Sequence, residues 1–209
     1  MIRGGMDVSV VPERRVALLG GGFSTDDDGL LDDWILGQAR TPRPKVCFVP
    51  TASGDAPGYI DRFLAAYETR PCDPSVLHLF RRDLDDAALR TFLLSQDVIY
   101  VGGGSTANLL AVWRVHGVDR ILREAYDHGT LLCGISAGAN CWAEGSHTDS
   151  FGPLTHLPDG LGLLPRLGLP PLRHRGRPPV LLPSGRGNRR ASSRLGGRGR
   201  AGASSPTAA

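Results

Sequence analysis

Gly134-Ile135-Ser136-Ala137-Gly138 follows the G-x-S-x-G pattern of a nucleophile elbow, a serine set on a sharp strand-to-helix turn. The chemistry it suits is nucleophilic attack through the Ser136 hydroxyl. Its logic is steric: a serine on so tight a turn has crowded backbone neighbours, and Gly134 and Gly138 leave them room. The Ala137 N–H then points toward an oxyanion forming beside the hydroxyl. A second cluster, Gly102-Gly103-Gly104, permits close backbone approach, so its amides could line the same oxyanion hole. A tight turn is the plainer reading of that cluster.

A serine nucleophile needs a base, and the base needs an orienting acid. Glu144, His147 and Asp149 follow the elbow. Either acid can orient a histidine, and either is equally a solvated loop carboxylate. His147 serves as base only if its loop folds back over Ser136; otherwise it is a polar loop residue. His78 and His116 read as structural or exposed, and His156 and His174 have no evident partner. Gly20-Gly21-Gly22 invites a dinucleotide reading but fails the G-x-G-x-x-G spacing, so nucleotide binding is not expected. Cys47, Cys72, Cys133 and Cys141 show no C-x-x-C spacing, and no metal site is expected.

The elements that must position these residues alternate strand and helix. Strands are expected at Arg15–Gly20, Lys45–Val49, Val76–Phe80, Asp97–Val101 and the run entering Gly134. Helices are expected at Asp26–Ala39, Tyr59–Glu68, Asp83–Leu94, Thr106–Val115 (with Ser105 as cap) and Asp119–His128. This alternation implies an α/β fold, a parallel sheet covered on both faces, whose sites form at the carboxyl ends of the strands. Every glycine cluster named above falls at such an end. The absence of a long apolar run or a signal-peptide pattern makes a cytoplasmic protein with no membrane partner the expectation.

The net charge of +3 hides a division. Residues 1–165 carry 14 basic and 21 acidic side chains, whereas residues 166–209 hold ten Arg and no acid, Lys or aromatic residue. Arg, Gly and Pro fill 24 of those last 44 positions, too little apolar surface to offset the entropy of ordering. Two regions are therefore expected: a domain over residues 1–165 and a disordered or out-of-frame tail over residues 166–209.

Three segments carry a resemblance. Val49-Pro50-Thr51-Ala52-Ser53, Tyr100-Val101-Gly102-Gly103-Gly104-Ser105-Thr106-Ala107-Asn108 and Gly134-Ile135-Ser136-Ala137-Gly138-Ala139-Asn140 resemble the peptidase E (aspartyl dipeptidase) and cyanophycinase-like serine peptidases. The resemblance runs over residues 15–165. It implies a fold like the class I glutamine amidotransferases, a flavodoxin-like three-layer arrangement. It also implies a nucleophile at Ser136, an oxyanion hole from Ala137, Gly103 and Gly104, and an acid at Asp149 or Glu144. The implied enzyme is cofactor-free and cleaves peptides after an N-terminal aspartate, or the related β-aspartyl-arginine polymer; the expected partner is a small peptide substrate with an N-terminal acidic residue, and a homo-oligomer is left open.

The family base, a His within Pro-His-Tyr or Pro-His-Phe, has no counterpart in Leu167-Gly168-Leu169-Pro170-Pro171-Leu172-Arg173. A reading-frame change near Pro165 accounts for this. Codons can be chosen for Arg166–Arg177 that, read one nucleotide later, give Gly-Ser-Val-Cys-Pro-His-Tyr. A rival reading takes the tail as genuine, an Arg-rich nucleic-acid-binding segment on a catalytically inactive body or scaffold. The tail's lack of aromatic residues for base stacking weighs against it.

Overall fold

A computed structural model of the chain describes residues 12–23, 25, 28–165 and the backbone of 180–183. The elements run β1 (Arg15–Leu19), α1 (Leu30–Gly37), β2 (Lys45–Val49), a 3-10 turn (Thr51–Ser53) and α2 (Pro57–Tyr67). They continue with β3 (Asp73–Val76), α3 (Asp86–Leu94), β4 (Val98–Val101), α4 (Thr106–His116) and α5 (Val118–Asp127). β5 (Leu131–Ile135), α6 (Ala137–Asn140), β6 (Ser146–Thr148), β7 (Thr155–Leu157) and β8 (Val180–Pro183) complete the order.

The main sheet has the order β3-β2-β4-β5-β1-β8. Its first five strands are parallel, and β8 pairs antiparallel with β1, Val16 facing Leu182. β6 and β7 form a separate hairpin. The central strands β4 and β5 are apolar and buried throughout because both faces are covered, whereas the edge strand β3 is polar and half-exposed, as expected for an α/β fold. Alternation divides each strand between two cores. Ile99 and Val101 join Trp113, Leu122 and Trp142 on one face, while Val98 and Tyr100 join Phe48, Phe63 and Tyr67 on the other. All four cysteines are buried and unpaired. Among the described residues no helix is long and apolar enough to cross a membrane.

Two boundaries differ from expectation for local reasons. β3 lies at Asp73–Val76, earlier than Val76–Phe80, because a side chain takes the later amides. After Leu77 N–H reaches the Phe48 carbonyl, Leu79 and Phe80 N–H groups donate to Asp55 Oδ2 at 2.8 and 3.0 Å. α1 begins at Leu30 behind Gly29, whose φ of +64° sets the turn, while Asp28 Oδ1 accepts the Leu30 N–H. The other helices lie close to their expected bounds. Ser105 caps α4 by accepting the Asn108 N–H, and Asp85 caps α3 through the Ala88 N–H. Apart from the backbone of β8, the tail expected over residues 166–209 lies outside the described residues.

Candidate active site

β4 and β5 are adjacent, with Val101 paired to Gly134, so the turns leaving them lie side by side at the carboxyl edge of the sheet. Ser136 stands on the second turn with φ +55° and ψ −114°, a region that costs a non-glycine residue about 1–3 kcal/mol. It is exposed between two buried neighbours, Ile135 and Ala137. Its carbonyl anchors the turn by accepting the Ala139 and Asn140 N–H groups at 2.9 and 3.0 Å.

The flanking glycines are required by space. A Cβ on Gly134 would lie 2.3 Å from the Gly138 carbonyl oxygen, and one on Gly138 would lie 2.1 Å from that of Val101. A side chain at Gly138 would push the turn away from β4, and one at Gly134 would push it away from β5; either would carry the serine with it.

The turn after β4 meets this serine directly. A Cβ on Gly103 would sit 3.3 Å from Ser136 Cβ and 3.9 Å from its Oγ. Gly104 has φ +141°, and its Cα packs so closely on Ala52 that a Cβ would lie 2.1 Å from the Ala52 carbonyl oxygen. Gly102 N–H donates to the Val49 carbonyl at 3.1 Å, Gly103 N–H to the Tyr59 hydroxyl at 3.1 Å, and Ser105 N–H to the Ala52 carbonyl at 2.8 Å. Among the described residues the Gly104 and Ala137 amides have no protein acceptor. The sequence pattern points to Gly103 and Gly104 together and carries no sign of Tyr59. That tyrosine has no local motif; it reaches the turn only because α2 packs over β2 and β4.

The two candidate acids are placed differently. Asp149 is exposed at the end of β6, between residues tied to the start of α4. Thr148 Oγ1 lies 3.4 Å from Thr106 Oγ1 and 2.7 Å from Ser150 Oγ, and Ser150 Oγ accepts the Ala107 N–H at 3.3 Å. That junction follows Gly104 and Ser105 directly. Glu144, also exposed, belongs instead to the segment before Pro165. Its N–H donates to the Leu164 carbonyl at 2.9 Å, and its carbonyl accepts the Gly160 N–H at 3.3 Å.

His147 stands opposite His156 in the β6–β7 hairpin, ring centroids 5.6 Å apart. Ser146 and Thr148, its neighbours along the strand, are buried, so the His147 ring lies on the other face of the hairpin. Its carbonyl accepts from Asn140 Nδ2 at 3.2 Å. His174 lies outside the described residues.

The sequence profile of peptidase family S51 matches residues 16–181. The chain is similar to the uncharacterized peptidase YgaJ of Bacillus subtilis strain 168, with 52% identity over 150 residues, covering 71% of this chain and 64% of that protein. It is also similar to peptidase E of Haemophilus influenzae, with 38% identity over 69 residues, covering 33% of this chain and 32% of that one. The chain thus spans less than two thirds of the length of either relative. Among solved structures, a candidate peptidase E from Listeria monocytogenes EGD-e superposes with TM-score 0.56 at 23% identity, covering 73% of this chain and 76% of that one. A peptidase from an acI-B1 actinobacterium superposes with TM-score 0.54 at 19% identity, covering 72% and 64% of the two chains. At those identities the likeness is one of fold.

Proposed function

The chain belongs to peptidase family S51, and from that premise we propose that it is built for serine-dependent acyl transfer on small peptides with an N-terminal aspartate. The observation that carries the reading is Ser136 itself, exposed, at a positive φ, and in contact with a glycine turn. A backbone strained at an exposed hydroxyl is the arrangement a nucleophile elbow needs. The preference for aspartate follows from the resemblance to peptidase E, the name one relative bears.

In the proposed reaction Ser136 Oγ adds to the scissile carbonyl carbon. The oxyanion is received by the Ala137 N–H and by the Gly103/Gly104 turn, where the Gly104 amide has no protein acceptor among the described residues. The serine proton passes through a base to the departing amine as the C–N bond breaks. Water then cleaves the acyl-enzyme by the same route in reverse. Asp149 is the better placed acid, because its strand is tied to the start of α4 beside Gly104, whereas Glu144 is tied to residues 160–164.

The base is where this chain departs. With no histidine in residues 167–173, the proposal includes severely reduced or absent turnover, and a frame change near codon 166 is the cause we favour. Four proteins test this: the chain as written and the product of a gene resequenced and restored to the Pro-His-Tyr frame, each with and without Ser136→Ala. The restored protein is expected to hydrolyse Asp-X dipeptides in preference to neutral ones. The written chain should turn over at least about 10³-fold more slowly, and Ser136→Ala should remove activity from both. Hydrolysis that survives Ser136→Ala would overturn the assignment.

A further inference from the structure

The peptide plane that carries the Gly104 N–H lies between two planes that are held. On one side the plane of Gly102 and Gly103 is fixed by the Gly103 N–H donating to Tyr59 Oη at 3.1 Å. On the other side the plane of Gly104 and Ser105 is fixed by the Ser105 N–H donating to the Ala52 carbonyl at 2.8 Å. Both flanking residues are glycine, so nothing in their own side chains resists rotation of the middle plane. Its orientation depends on the two outer hydrogen bonds. One of these uses a backbone acceptor. The other depends on a single side chain.

That side chain is well held. Tyr59 stands in the first turn of α2 and is buried. Its ring stacks on Phe23, centroids 5.4 Å apart, and meets Phe48 edge-on at 5.2 Å. The Arg62 guanidinium lies 5.3 Å from the ring centroid. Gly102 packs against its edge, since a Cβ there would lie 2.8 Å from Tyr59 Cε1. A ring so enclosed presents its oxygen as a stationary acceptor.

We propose that Tyr59 is a positioning residue of the acyl-transfer site: by holding the Gly103 N–H it aims the Gly104 N–H at the oxyanion that Ser136 creates. The inference rests on the acyl-transfer reading above. It assigns the turn a single oxyanion donor, with Gly103 committed to the scaffold. Tyr59 touches no reacting atom; its effect passes through the backbone.

Tyr59→Phe removes the oxygen and keeps the ring contacts. The probe is the boronic acid analogue of aspartate, in which boronate replaces the α-carboxyl. Ser136 Oγ adds to its boron to give a tetrahedral anion, the serine proton passing to solvent. In Tyr59→Phe, affinity for this adduct should fall about tenfold, a fraction of what losing a whole oxyanion donor costs. Binding of aspartate itself should stay unchanged. Amide hydrogen exchange supplies a readout independent of ligand: Gly103 should exchange about tenfold faster, with Gly102 and Ser105 unmoved. Unaltered boronate affinity in Tyr59→Phe would overturn the inference, and so would a gain, which would mean a released Gly103 amide had become the better donor. A boronate that binds wild type and Ser136→Ala alike would overturn the acyl-transfer reading and this inference with it.

Discussion

Two runs of three glycines, Gly20–Gly22 and Gly102–Gly104, leave the carboxyl ends of the two strands that flank β5. Their compositions are identical and their neighbours are not. The first run admits core: a Cβ on Gly22, at φ +134°, would lie 2.6 Å from Tyr100 Oη and 3.6 Å from Asp32 Oδ1. Its carbonyl then closes the loop by accepting the Thr25 N–H at 2.8 Å. The second run meets core only at Gly102, against Tyr59 and Phe48; its other two glycines admit the serine on one side and Ala52 on the other. A missing side chain is therefore an opening, and what enters it decides whether the glycines serve packing or chemistry.

Substitutions can break this contrast at graded cost. Gly104→Ala is expected to be the most damaging, because it adds a strained φ to a clash with the backbone of Ala52. It should cost about 3 kcal/mol or more, seen as loss of cooperative thermal unfolding. Gly103→Ala separates site from scaffold. Its Cβ would press on Ser136 at 3.3 Å but on nothing harder, so the frame-restored protein should lose about tenfold in kcat/KM with little change in Tm. A matching fall in Tm would show that this turn, too, is packing.

The smallest effect belongs to the first run, at Asp32. Its carboxyl is buried beside Gly22 and accepts the Tyr67 hydroxyl at 2.8 Å. Burial raises its pKa, outweighing the Tyr67 hydrogen bond and the Arg70 charge, which lower it. A carboxyl whose folded pKa lies above its unfolded value favours the folded state when protonated. Stability is lost as pH rises from the unfolded value, about 3.9, to the raised folded one, and stays lower above it. Asp32→Asn should remove that pH dependence and leave the protein at least as stable as wild type at neutral pH, by a difference of order 1 kcal/mol. Urea titrations across acid to neutral pH would show the two curves diverging upward from acid.

The parallel sheet and the serine turn were legible because both depend on local pattern. Apolar runs of strand length stop at glycine or proline, and Gly134 and Gly138 bracket Ser136 at the spacing the turn demands. The displaced β3 was not legible, since it depends on Asp55 reaching across to the amides of Leu79 and Phe80. The role of Tyr59 is hidden for the same reason: its partner, Gly103, lies far along the chain. Between Glu144 and Asp149 the sequence offers two exposed carboxylates in one loop, and only the ties of Thr148 and Ser150 to α4 separate them. What remained hidden in each case is a side chain satisfying a distant backbone group.

The buried cysteines offer a clock. Cys133 and Cys141 bracket Ser136, and burial lifts both thiols well above the range in which they would ionise. Cys47, on β2, is pushed up to about 12. A thiol so placed reacts only when its strand opens to solvent, because the attacking species is the thiolate. The rate at which an alkylating reagent marks each position therefore counts how often that part of the sheet comes apart. Cys133 reports on β5, Cys141 on the helix behind it and Cys47 on the strand beyond β4, so the chain carries its own local timers for the ground on which the serine stands.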